Sequence, residues 1–203
     1  SKHKKNILVY GFTKEEAKLT NYKNINIKKK IFSSTSSQYI NNFLKTISKK
    51  KIDILEIHNR PHYINYFKKI QNYKIILFFH NDPLKMQGSS TVTQRLELLK
   101  KSDKIVFNSN WSRLRFLIDL PQNIENHKIT VIHQSTSKIK INFAKKEKLI
   151  SFVGKLNVSK GYDIFGKAII KILNKYKDWS SVVIGDEPRQ KFFFNHKNLN
   201  HLG

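Results

Sequence analysis

The stretch Phe152-Val153-Gly154-Lys155-Leu156-Asn157-Val158-Ser159-Lys160-Gly161 decides how the chain is read. It begins inside an apolar run, residues 149–153, that has the length and composition of a buried strand. The run breaks at Gly154, passes Lys155 and Lys160, and turns at Gly161 into a helical pattern. A strand, a short cationic loop and a helix are how an α/β fold presents a phosphate site. Glycine lets backbone approach the ligand, and the first turn of a helix offers unpaired N–H groups with partial positive charge. Two lysines beside that turn suit a diphosphate better than a single carboxylate. The plain alternative, in a chain this rich in lysine, is an ordinary strand–helix turn with solvated lysines.

Working outward, residues 162–176 carry Ile164, Phe165, Ala168, Ile169, Ile172 and Leu173 on one expected stripe, with Gly166 inside it. A helical glycine costs roughly 1 kcal/mol against alanine, so close packing is expected there. Residues 180–184 form the next strand, ended by Gly185-Asp186, and residues 187–203 close without a clear signal. Upstream, the spacing predicts a buried strand at 5–11, a core strand at 74–80, and further strands at 53–58, 104–108 and 128–132. A short strand is expected through Ile25, Ile27 and Ile31. Helices are expected at 36–50, 61–70, 91–101 and 110–120, with Ser109 as a cap and Pro121 as a stop. Strands alternating with helices predict parallel sheet covered on both faces. The polar stretch 134–148 is expected to link a domain spanning 1–133 to a second over 149–203.

Two polar clusters fall at strand carboxyl ends, His58-Asn59-Arg60 and His80-Asn81-Asp82. Ligands of open parallel sheets bind outside those ends, so both clusters are expected to face one crevice. There a histidine can bond a substrate hydroxyl or stabilise charge. Each histidine reads equally as a strand-end residue bonded to a neighbouring loop, and Asp82 as a loop cap.

Composition narrows the classes. Thirty-nine Lys and Arg against 14 Asp and Glu give a net charge of +25, while 39% of residues are hydrophobic and 12% aromatic, which indicates a folded domain. The charge invites nucleic-acid binding, yet the lysines are dispersed and no zinc spacing, RNP-type box or helix-turn-helix pattern accompanies them. The same charge suits an anionic membrane surface. No apolar run is long enough to span a bilayer, and the run 7–10 that follows the basic start is too short for a signal peptide and lacks a small-residue cleavage site. Without cysteine there are no disulfides, zinc ribbons or thiol catalysis, which fits a reducing compartment.

The block 152–161 resembles the Val-Gly-Arg-Leu-x-x-x-Lys-Gly signature of bacterial family-4-type retaining glycosyltransferases of GT-B fold, with Lys155 in the arginine position. His58-Asn59-Arg60-Pro61, His80-Asn81-Asp82-Pro83, the run 104–111 and the run 129–133 resemble further blocks of that family, in order. The resemblance implies two Rossmann-like domains. Gly154, Lys155, Lys160 and Gly161 would hold the donor diphosphate, His80 would stand near the reacting sugar, and His58, Asn59, Arg60, Asn81 and Asp82 would line the acceptor side. It implies no cofactor and no metal, a nucleotide-diphosphate sugar as donor, and a glycan or lipid-linked acceptor of cell-surface polysaccharide or lipopolysaccharide assembly. The expected location is the cytoplasm, at the inner face of the membrane.

The family's first strand with its glycine-rich turn, and its later Glu-x7-Glu pair, have no counterpart here. An interior piece of a longer enzyme is therefore expected, probed by whether it turns over substrate. The alternatives are a non-catalytic nucleotide- or acceptor-binding module, a basic nucleic-acid-binding protein, and a nucleotide-sugar epimerase of the same fold.

Overall fold

The computed structural model of the 203-residue chain describes residues 7–12, 21–27, 34–67, 73–124, 126–137, 140, 146–189 and 192–203. The chain divides into two units, Ser1–Thr136 and Ser137–Gly203.

In the first unit, short strands β1 (Val9–Gly11) and β2 (Tyr22–Asn24) pair in parallel. Helix α1 (Thr35–Ile47) follows, started by Ser34, whose hydroxyl accepts the Ser37 N–H, and seated through Ile40, Phe43 and Ile47. Strands β3 (Ile54–His58), β4 (Lys74–Phe79), β5 (Lys104–Phe107) and β6 (Ile129–Val131) then form one parallel sheet in sequence order. Helix α2 (Val92–Lys101) joins β4 to β5, and helix α3 (Asn110–Leu117) joins β5 to β6. A capping box at Thr91 and Gln94 starts α2, and Ser109 starts α3 by accepting the Ser112 N–H. Phe79, Phe107 and Phe116 pack ring against ring, with centroids 5.2 to 5.6 Å apart, in a fully buried cluster. Each such side chain contributes about 1.5–3 kcal/mol through burial.

The second unit has a parallel sheet in the order β7 (Leu149–Val153), β8 (Ser180–Ile184), β9 (Leu199–His201), with helix α4 (Tyr162–Lys175) between β7 and β8. Phe152, Phe165, Phe192 and Phe194 surround Tyr162. Gly166 has a packing reason: a Cβ there would lie 2.1 Å from the Phe194 ring.

Several expectations are corrected. Residues 7–9 and β7 are not buried: among the described residues β1 pairs with β2 alone, and β7 is a sheet edge, with Val153 73% exposed. The second strand is Tyr22–Asn24, ahead of Ile25 and Ile27, and Ile31 lies outside the described residues. The helix expected from Pro61 is a 3-10 turn, Pro61–Tyr66, which ends as Phe67 becomes extended, and residues 68–70 lie outside the described residues. Helix α3 stops at Leu117 because Ile118 leaves helical geometry and Asp119 takes a left-handed conformation. The sheet is not covered on both faces at its edge strand β3, where Ile54, Glu56 and His58 are exposed while Leu55 and Ile57 are buried. The seam of α4 runs through Tyr162, Gly166, Ile169 and Leu173, leaving Ile164 70% exposed. Strand β9 is an addition that the pattern does not predict, since Leu199-Asn200-His201 is too short for alternation to register.

Candidate functional site

Strand alternation gathers one group of side chains at the carboxyl ends of the first unit's sheet. Glu56 and His58 share a face of β3, and register places His58 beside Phe78 on β4, their rings stacked at 4.4 Å. His80 follows Phe78 by two residues, on the same face. The two expected clusters do meet, with His58 Nδ1 3.0 Å from His80 Nε2. Asn59, at a left-handed φ of 57°, turns its Oδ1 to accept the His80 N–H at 3.3 Å. Asn108, just beyond β5, donates its amide to the His80 carbonyl at 3.0 Å. The outer ring nitrogens are also occupied: Gln134 Nε2 lies 3.1 Å from His80 Nδ1, and Glu56 Oε2 lies 3.3 Å from His58 Nε2. Burial, with the neighbouring His58 adding to it, lowers the pKa of His80 and favours its neutral form.

The remaining expected residues divide. The Arg60 guanidinium donates to the Asn59 carbonyl, which braces the turn. Asn81 is exposed and makes no hydrogen bond among the described residues. Asp82 is committed structurally: it accepts the Leu84 N–H at 3.1 Å, starting the turn Pro83–Lys85, and takes two bonds from Arg115 on α3 at 3.3 and 3.2 Å. Burial would raise its pKa, but the bonds from Arg115 and Leu84 outweigh this and hold the carboxyl below its ordinary range.

In the second unit, Gly154 follows β7 and Gly185 follows β8, at φ of 152° and 147°. A Cβ on Gly185 would sit 1.9 Å from the Gly154 carbonyl oxygen, so the two strand ends touch backbone to backbone. A 3-10 turn, Val158–Lys160, separates the strand from α4. Asn157 organises it: its Oδ1 accepts the Lys160 N–H at 3.2 Å and the Ser159 hydroxyl at 2.8 Å, while its Nδ2 donates to Glu187 at 3.2 Å. Glu187, only 6% exposed, also takes two bonds from Arg189, the leading cause that lowers its pKa to about 2, with Asn157 contributing. Gly161 then adopts a left-handed conformation at the head of α4, whose first turn has no side-chain cap. Lys155, ahead of the 3-10 turn, and Lys160, its last residue, are both exposed, and neither is ion-paired among the described residues. Asp163 in the first turn of α4 complements the helix dipole and opposes an anion there.

Glu56, Phe78, Asn108, Gln134, Gly185 and Glu187 join the two sites although the sequence reading does not select them. Alternation points to Glu56 once His58 is chosen, and the strand-end rule, applied to β5 and β6, points to Asn108 and Gln134. The Asn157–Glu187 contact spans two loops and leaves no local signal.

Among the described residues, no group of three or more His, Asp or Glu is arranged to hold a metal, and no helix is long and apolar enough to cross a membrane. Each unit is α/β and its sheets are parallel among the described residues, a Rossmann-like arrangement. The chain is similar in structure to TarM, at a TM-score of 0.53 and 13% identity over 82% of this chain and 36% of that one. It is also similar to a point mutant of S. aureus TarM in complex with fondaparinux, α-GlcNAc-glycerol and UDP, at a TM-score of 0.50 and 14% identity over 73% of this chain and 31% of that one. The chain thus spans about a third of the length of these structures, and at such identity the likeness is one of fold. No family model and no curated protein matches the sequence.

Proposed function

We propose that the chain belongs to a glycosyltransferase that moves a sugar from a nucleoside-diphosphate donor to a glycan or lipid-linked acceptor. The observation that carries this is the loop after β7: it leaves the strand end where Gly154 and Gly185 touch, and carries two exposed lysines, not ion-paired among the described residues, into a helix start without a side-chain cap. The unit Ser137–Gly203 would bind the donor diphosphate through Gly154, Lys155, Lys160 and Gly161. The unit Ser1–Thr136 would face the acceptor with His58, Asn59, Arg60, His80 and Asn81. Asp82 would support that face through Arg115, without touching ligand.

Glycosyl transfer passes through an oxocarbenium-like state while negative charge grows on the departing diphosphate. Lysines and helix N–H groups fixed beside that charge stabilise the transition state without reorganising. Lysine supplies the charge but not the bidentate fork of arginine at position 155. His80 would orient a sugar hydroxyl. We further propose retention of configuration, independence of metal, and action in cell-surface polysaccharide or lipopolysaccharide assembly at the inner membrane face, to which the net charge of +25 would draw the protein.

Calorimetric titration of the chain with UDP and GDP tests the donor site. Lys155→Ala and Lys160→Ala should each weaken binding by about 10- to 100-fold, the worth of a charge-assisted contact. Equal binding by both variants would refute the assignment. A non-catalytic binding module is the alternative, favoured by the hydrogen bonds that already occupy both ring nitrogens of His80. Diphosphate binding with no sugar transfer from any nucleotide sugar would select it. Nucleic-acid binding rests on charge alone and would show as strong dependence on salt.

A further inference from the structure

Gln134, His80, His58 and Glu56 form one unbroken line of hydrogen bonds, at 3.1, 3.0 and 3.3 Å. Such a line has a direction. A neutral imidazole has one N–H and one bare nitrogen, so each ring must receive on one side and give on the other. Glu56, as a carboxylate, can only accept. His58 must therefore carry its proton on Nε2 and receive at Nδ1. His80 must then carry its proton on Nε2 and present a bare Nδ1, the atom that meets the Gln134 amide. The opposite direction would set a ring lone pair against a carboxylate.

We propose that Glu56, acting through His58, determines which ring nitrogen of His80 is bare, leaving Nδ1 to accept a hydrogen bond from a ligand hydroxyl that displaces the Gln134 amide. Glu56 and His58 are then positioning residues, and the ligand class is a sugar or other polyol. The role for the hydroxyl rests on the transferase function proposed above; the control of the tautomer does not. His58 stacks on Phe78, and the His80 ring lies edge to edge with it, centroids 5.3 Å apart and planes within 10°, which keeps both rings in the plane the line needs. The Asn59 side chain and the Asn108 amide hold the His80 backbone from either side. The other charged or titratable groups at these strand ends are spent elsewhere: Arg60 on the Asn59 carbonyl, His133 on the Asn108 carbonyl, and Asp82 on Arg115.

The test is a two-bond proton–nitrogen correlation spectrum of the histidine-labelled 203-residue chain at about pH 7.5, above the ordinary histidine pKa, with His58→Gln and His80→Gln used for assignment. Both rings should show the Nε2–H pattern. Glu56→Gln, which still offers a carbonyl, should preserve it. Glu56→Lys replaces the terminal acceptor by a donor and should reverse the line, moving the His80 proton from Nε2 to Nδ1 although residue 56 does not touch His80. Gln134→Ala should leave Nδ1 bare, because the direction is imposed from the other end. An unchanged His80 pattern in Glu56→Lys, or a tautomer mixture in Gln134→Ala, would overturn the proposal. Backbone amide spectra check that each variant is folded. Failure of nucleotide binding would leave these spectra unaffected, so the two proposals fail separately.

Discussion

Replacing Asp82 separates a structural role from a ligand-binding one. Its carboxylate caps the turn Pro83–Lys85 through the Leu84 N–H and ties that turn to α3 through two bonds from Arg115. The Arg115 and Asp82 side chains are 33% and 13% exposed, so the pair is only partly screened by water. Loss of the cap costs about 1 kcal/mol, and loss of the charge-assisted pair about 1.5–3 kcal/mol. Asp82→Ala should therefore lower the stability of the first unit by roughly 2–4 kcal/mol, a large part of the roughly 5–15 kcal/mol typical of a domain. Asp82→Asn keeps a capping oxygen and should lose about half as much. Urea denaturation followed by Trp111 fluorescence in a Trp179→Phe background measures both, and a cycle with Arg115→Ala isolates the pair. The folded carboxyl is held below its ordinary value, so its contribution is present above about pH 4 and is lost as pH falls through the folded pKa. If Asp82→Ala melts like the parent but loses acceptor binding, the structural assignment is wrong.

Three further outcomes follow from the second unit. Gly166→Ala gains roughly 1 kcal/mol of helix propensity but must displace the Phe194 ring at 2.1 Å; overpacking costs about 1–3 kcal/mol or more, so thermal melting should show net destabilisation, and a stabilised variant would count against the packing. Gly185→Ala strains a left-handed residue and pushes its Cβ into the Gly154 carbonyl, so UDP titration should show weaker binding together with a lower Tm; undiminished affinity would mean the strand-end floor is not part of the site. The Glu187 pKa is lowered from 4.5 to about 2, so the stability its contacts with Asn157 and Arg189 supply should be complete above the ordinary glutamate value and fail as pH falls through the folded one; a carboxyl NMR titration with a midpoint at the ordinary value would show that the contacts do not persist in solution.

Strand–helix alternation is legible because the strands are short, apolar and bounded by polar clusters. Strands β7 and β8 fall on the expected residues, and Ser109 caps α3 where local chemistry places it. What differs depends on neighbours distant in sequence. An apolar run such as 149–153 looks the same at the centre of a sheet and at its edge, and only the pairing order decides its exposure. Periodicity draws the stripe of α4 through Ile164, but the Phe192 and Phe194 rings pull the seam toward Tyr162 and Gly166. His58 and His80 are legible singly, as strand-end residues. Their union with Glu56 and Gln134 requires three strand ends to be brought side by side.

The order of strands in the first unit bears on how the protein is made. Ile57 meets Leu77, Leu77 meets Ile105, and Ile105 meets Ile129. Each strand of this sheet pairs with the one synthesised just before it and waits for nothing downstream. A chain emerging from the ribosome can therefore extend the sheet one strand at a time, with a single crossover to close at each step. The histidine line is finished last: Glu56, His58 and His80 are in place once β4 docks, and only the arrival of β6 brings Gln134 to His80.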